Sequence, residues 1–292
     1  MDFPPQIPTP LRQFLTENYP PLTNFEKLGG MSGSGVWQAI FGNKSVVLKK
    51  SRRPLESDFY KNIAPVLRQQ GVAIPAVYWQ GMSEDGAYWL ALESVPAPLP
   101  RERWGADPEI LKILGNLHRA RFPAQPDITG LYQPGWNDAM TANALKMLDL
   151  DPAQLGPVLK VWQTKAQLLF RPTHSISADP NPGNWGLRED GGAVLFDWER
   201  FTYGSPAIDV AIITTGLPSS EKLHHSAAKY LEVNPNTLEK SLEDFAEEVK
   251  IAKVWVTLEF IYDFATRPDN GIPESTIGWL RAEMPGWLES LV

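Results

Sequence analysis

The sequence predicts an α+β protein, rich in sheet over its first third and mainly helical afterwards. Two observations carry this. The β-branched and aromatic runs "VWQAI", "SVVLKK", "AVYWQGM" and "AYWLALESV" crowd between residues 36 and 95, paired across turn-forming clusters. Beyond the proline-dense "PAPLP" at 96–100, apolar residues recur at helical spacing instead. The expected division is a lobe over residues 1–96 and a helical lobe over 97–292.

Each element has a local reason. The proline-rich opening reads as an extended arm to Pro10 and a short helix over Leu11 to Leu15. A strand ends near Leu28, and residues 36–50 form a hairpin across "FGNK". In "PLESDFYKNIAPVLRQQG", Pro54 suits a first helical turn, Phe59, Ile63 and Leu67 share a face, and Gly71 is a stop; Pro65 is placed to kink or split the helix. A second hairpin folds across "SEDG". Further on, "DPEILKILGNLHRAR" and "DPAQLGPVLKVWQTKAQLLF" each open on an Asp N-cap followed by proline. Helical periodicity returns around 220–232, 236–266 and 273–291, and "AVLF" is the strong strand signal of this half.

Composition narrows the function. At 292 residues, 43% hydrophobic and 21% charged, the chain is long enough for one large or two modest cores. A net charge of -7 argues against a nucleic-acid binder and suits a cationic or neutral small molecule. With no cysteine there is no disulfide, thiolate metal site or cysteine nucleophile. The N-terminus lacks a signal-peptide pattern and no apolar run approaches ~18 residues, so the expectation is a cytoplasmic protein without membrane contact, monomeric or homodimeric.

Three constellations carry chemistry. The cluster "GGMSGSG", containing Gly30, Ser32, Gly33, Ser34 and Gly35, sits between two strands, where glycine lets backbone N–H groups approach phosphates. It lacks the Lys-Ser/Thr of a Walker loop and does not fit the dinucleotide fingerprint. Lys49 and Lys50 end "VVLKK", so alternation points one of them inward. Glu56 lies at the edge of the following helix's apolar stripe, and a buried-side carboxylate needs such a partner. The stretch "SISADPNPGNWGLREDGGAVLFDWER" is the third: Asn184 and Asp197 are equally far from the midpoint of the turn "EDGG". Direct pairing would bring their Cα atoms to about 4.5–5.5 Å. Asp179 precedes them in a loop held by proline and glycine. Oxygen donors without His or Cys suit Mg²⁺ completed by substrate phosphates. The competing reading makes Asp179 an Asx-turn and Asp197 a cap for "WERF".

These residues resemble a known family. "ADPNPGN" has the D-x-x-x-x-N spacing of the kinase catalytic loop, "LFDWE" stands at the Asp-Phe-Gly position, and "VVLK" matches the strand lysine. With "GSPAIDVA" downstream, the pattern over roughly 25 to 212 is similar to the aminoglycoside phosphotransferase and choline kinase-like group. The resemblance implies a protein-kinase-like, two-lobed fold and an ATP- and Mg²⁺-dependent phosphotransferase acting on a small-molecule hydroxyl. It assigns Lys49 to the α/β-phosphates with Glu56 as its partner, Asp179 to the attacking hydroxyl, and Asn184 and Asp197 to Mg²⁺. Backbone from Glu93 to Val95 would meet the adenine, while His118 and Asp209 would be structural. The family writes His-Gly-Asp where this chain has Ser177-Ala178-Asp179, which keeps a second reading open: a catalytically weakened nucleotide- or ligand-binding relative. A nucleophilic hydrolase has no support, since G-x-S-x-G is absent and His174, His224 and His225 form no constellation. The acceptor is left undecided; Trp136, Trp162, Trp185, Trp198, Tyr203, Trp255 and Tyr262 are candidates for its pocket, most of them expected in the core.

Overall fold

In a computed structural model the described residues are 2–29, 35–123, 128, 130–266 and 273–291. The N-terminal arm is shorter than expected. Pro10 fits inside the first turn, where its missing N–H is not needed, so helix α1 runs Thr9–Asn18. Ile7, Leu11 and Leu15, spaced by four, are fully buried.

Strands β1 (Asn24–Lys27), β2 (Gly35–Phe41) and β3 (Lys44–Ser51) follow. The next segment is split: α2 covers Leu55–Asp58, a π-helical turn Phe59–Ile63, and α3 Ala64–Gln69. Pro65 explains the split. It has no N–H to return to the carbonyl four residues back, and the turn before it closes over five residues, with the Ala64 N–H reaching the Phe59 carbonyl. Then come β4 (Val77–Met82), β5 (Tyr88–Glu93) and the short β6 (Ala97–Pro98). The antiparallel sheet has the order β1-β2-β3-β5-β4, and both predicted hairpins are in it.

The helical region contains α4 (Pro108–His118), α5 (Asp138–Leu148) and α6 (Pro152–Ala166). Asp107 and Asp151 cap α4 and α6 as the Asp-Pro signals predict. Short strands β7 (His174–Ile176), β8 (Trp185–Leu187), β9 (Ala193–Leu195) and β10 (Thr202–Gly204) precede α7 (Ala207–Ile213), α8 (Ser220–Val233), α9 (Leu242–Thr266) and α10 (Glu274–Ser290). Helices α5 and α7 were not anticipated. In α7, "AIDVAII" is buried nearly all round and so shows no amphipathic period. For α5 the signal was the N-cap Asn137, which accepts from the Met140 N–H.

The chain forms two compact units. One holds Met1–Pro98, Phe122–Leu131 and Trp185–Glu199; the other holds Leu99–Arg121, Tyr132–Asn184 and Arg200–Val292. In the first, α1 packs on one sheet face, where Val46, Leu48, Trp89 and Ala91 join its apolar side in one cluster. In the second, α9 packs against α5, α6, α7 and α8 and buries side chains around most of its circumference. Trp136, Trp162, Trp185, Trp198 and Trp255 are all buried. Among the described residues no helix is long and apolar enough to cross a membrane.

The β8–β9 hairpin departs from expectation by one residue. Trp185 pairs with Leu195, Gly186 with Val194 and Leu187 with Ala193. The reason is a loop of three residues: Arg188 N–H bonds the Gly192 carbonyl and Gly191 adopts φ 83°. Counting "EDGG" as a symmetric four-residue turn therefore opposed the wrong pair. Asn184 lies in a 3₁₀ turn, Pro182–Asn184, outside the ladder.

Candidate active site

Lys49 gathers the charge of the first unit. Along β3, Val46 and Leu48 belong to the cluster under α1, while Lys49 is 7% exposed. Lys50 takes the outward role and pairs with Asp85. Lys49 Nζ lies 2.7 Å from Glu56 Oε2, 2.8 Å from Asp197 Oδ1 and 2.9 Å from Glu199 Oε1. Burial works to lower the lysine's pKa, but the three carboxylates outweigh it and hold the ammonium well above its ordinary value. Burial pushes the Glu56 carboxyl up against the pull of Lys49, with Asp197 and Glu199 adding to the rise.

Asp197 reaches this cluster because its backbone is left-handed, φ 65°, an uncommon conformation for a residue with a Cβ. Trp198 between the two acids is fully buried and stacks on Phe59, centroids 4.4 Å apart. The cap reading of Asp197 does not hold, since no helix follows it. One oxygen from each of Glu56, Asp197 and Glu199 lies within 4.8 Å of the others. A hard, all-oxygen set of this kind fits Mg²⁺. Exposure separates the roles: the Asp197 and Glu199 side chains are 35% and 24% accessible, whereas Glu56 is 2%.

Elsewhere in this unit, Glu93 is held by its side chain. It takes two bonds from Arg188, at 2.6 and 2.9 Å, and one from the Ala76 N–H at 2.9 Å. Val95 packs so closely on Gly186 that a Cβ there would lie 2.6 Å from Val95 Cγ1. Gly30, Ser32, Gly33 and Ser34 fall outside the described residues. Gly35 opens β2 opposite Lys50, where a Cβ would meet the Trp37 ring at 2.1 Å.

In the second unit, the loop after β7 carries Asp179. Asp209, fully buried in α7, accepts the Ser177 N–H at 2.9 Å and the Ala178 N–H at 2.8 Å. His118 Nε2 meets the same carboxylate at 3.0 Å, and its Nδ1 pairs with the Tyr230 hydroxyl at 2.6 Å. A carboxylate only accepts, so His118 donates here and its role is structural. Asn181 donates to Asp179 Oδ1 at 2.7 Å and itself makes the Asx-turn, accepting the Gly183 N–H at 2.9 Å. Asn184 Nδ2 bonds the Asp179 carbonyl at 2.8 Å, which leaves the amide oxygen as the atom a cation would take. Arg200 interacts electrostatically with Asp179; it stacks on Tyr132 at 4.2 Å and pairs with Glu259.

A buried lysine held by acids in one unit, and an anchored Asp-x-x-x-x-Asn loop in the other, are residue patterns of the kind phosphoryl-transfer proteins use. The sequence model of the phosphotransferase enzyme family, APH, matches residues 27–235. The chain belongs to this family. No curated protein matches it significantly in sequence. Solved phosphotransferases share its fold. Spectinomycin phosphotransferase, solved with ADP and spectinomycin, has a TM-score of 0.64 at 14% identity, covering 99% of this chain and 98% of that one. A thermostable aminoglycoside phosphotransferase variant, solved with ADP and hygromycin B, has a TM-score of 0.62 at 16% identity, covering 95% and 97%. Choline kinase from Streptococcus pneumoniae has a TM-score of 0.58 at 16% identity, covering 95% and 96%. The protein-kinase-like fold expected from the sequence is the fold of this family member.

The departure from His-Gly-Asp now has a geometry. Ala178 sits at φ 56°, a conformation that glycine adopts freely. Ser177 Oγ accepts only a long bond, 3.4 Å, from the Asp179 N–H. Ala178→Gly relieves the Cβ strain and should stabilise the protein by about 0.5–1 kcal/mol net of the chain entropy glycine adds. Urea unfolding checks this, and a loss of stability would mean the alanine is unstrained. Sequence reading missed Glu199, Asn181 and Arg188. Glu199 was visible only as a second acid two residues after Asp197, because the left-handed backbone at Asp197 that turns both toward Lys49 has no local signal. Arg188 was not, since its partner Glu93 lies 95 residues away.

Proposed function

We propose that this phosphotransferase is an ATP- and Mg²⁺-dependent kinase that transfers the γ-phosphoryl group to a hydroxyl of a small molecule. The observation that carries the reading is Lys49, buried and set 2.7–2.9 Å from three carboxylates. Glu56 orients Lys49, whose ammonium receives the nucleotide phosphates. The acceptor oxygen bonds to the γ-phosphorus, the bond to the β-phosphate oxygen breaks, ADP leaves, and Asp179 takes the hydroxyl proton. Asp197 and Glu199 would hold Mg²⁺, which neutralises phosphate charge, and Asn184 keeps the metal-binding role that the family resemblance assigns to it. Structural neighbours solved with ADP support a nucleotide donor, and those solved with spectinomycin or hygromycin B support a small acceptor. Glu93 to Val95 and the glycine cluster including Gly35 complete the nucleotide contacts in this proposal.

Asp197→Ala is expected to abolish the Mg²⁺-dependent tightening of ADP binding, measured by calorimetry with and without the metal. An unchanged Mg²⁺ dependence refutes its role as a ligand. The long Ser177 bond favours one competing reading, a protein that binds nucleotide without turnover. ATP consumption with a panel of sugars, amino alcohols and aminoglycosides decides between them.

A further inference from the structure

Among the buried side-chain atoms of the first unit that lack a hydrogen-bond partner among the described residues, Arg12 Nε and Trp89 Nε1 included, the Tyr60 hydroxyl and the two Glu56 carboxylate oxygens are complementary. Tyr60 is 1% exposed and Glu56 2%, so bulk solvent serves neither. A stranded group of this kind costs about 1–3 kcal/mol, and buried donors and acceptors in native proteins are rarely left unjoined. The two residues stand four apart, Glu56 in α2 and Tyr60 in the π turn that Pro65 imposes. Burial holds the Tyr60 phenol well above its ordinary pKa, and the nearby Glu56 carboxylate adds to the rise. The π turn also sets Phe59 flat on Trp198, interplanar angle 12°, which anchors the turn independently of the hydroxyl.

Of the three carboxylates around Lys49, Glu56 alone is fully enclosed, so it alone can be fixed from within the protein. Its Oε2 lies 2.7 Å from Lys49 Nζ, and neither carboxylate oxygen has a hydrogen-bond partner among the described residues. We propose that Tyr60 is a positioning residue of the nucleotide site: its hydroxyl donates to the Glu56 carboxylate through one buried water and fixes the group against which Lys49 is set. This rests on the reading that Lys49 serves the nucleotide phosphates.

Tyr60→Phe keeps the ring and removes one hydroxyl, so it tests the contact without emptying the core. The expected result is about five- to tenfold weaker binding of Mg²⁺·ADP by calorimetry, the worth of one buried hydrogen bond, with no gain in stability. A hydroxyl that is merely stranded predicts the reverse, a variant more stable to urea that binds ADP as tightly as wild type, and that result overturns the proposal. A cycle with Glu56→Gln separates the link from its use. If the residues are joined, the effect of Tyr60→Phe on unfolding shrinks in the Glu56→Gln background; strictly additive effects overturn the link. Should the wild-type protein bind no ADP, the nucleotide reading falls, and the unfolding cycle still decides whether Tyr60 holds Glu56.

Discussion

Asp179→Asn is expected to lower kcat for phosphoryl transfer by about 10²–10⁴-fold, the usual worth of a positioned general base, while leaving Mg²⁺·ADP affinity close to wild type. Asparagine keeps an oxygen for the Asn181 side chain, which now donates to Asp179 Oδ1 at 2.7 Å, so the loop retains its shape. What it loses is the capacity to take a proton. The split between kcat and nucleotide affinity matters because the residues around Lys49 belong to another part of the chain. Steady-state kinetics with an identified acceptor, alongside calorimetry with ADP, provide the measurement. Undiminished turnover would remove Asp179 from the chemistry and leave its loop a structural feature.

Asp209→Asn should cost about 2–4 kcal/mol of stability and about 10²-fold in kcat. The wild-type carboxylate accepts from the Ser177 N–H, the Ala178 N–H and His118 Nε2, all in a buried setting. An amide has one oxygen for these donors and turns its own NH₂ toward another, so at least one buried N–H loses its partner and like donors meet. Ala178 is held in a left-handed conformation by these bonds. Once they weaken the residue has reason to relax, carrying the next residue, Asp179, with it. Urea unfolding and kinetics on the same variant are expected to fall together. A variant that kept its stability but lost turnover would point to a direct chemical role for Asp209 instead.

Much of this was legible beforehand because it rests on local rules. Alternation in "SVVLKK" required one lysine to turn inward, and Lys49 does. Asp-Pro openings marked two helix starts, each with the aspartate bonding the first turn's N–H groups. Where reading along the chain failed, the deciding contact was distant or the local pattern was hidden by burial. The three-residue loop at Gly191 shifted a register that counting could not fix, and α7 is too enclosed to show a period.

The sequence by itself determined the order of sheet and helix, the inward lysine with its acidic partner, and the Asp-x-x-x-x-Asn loop, since each follows from neighbours within a few residues. Tertiary structure alone decided that Glu199 joins Asp197 on Lys49, that Asp209 and His118 hold the loop before Asp179, and that Arg188 secures Glu93. Charge pairing and buried hydrogen bonds act through space, and the chain brings such partners together only after it has folded.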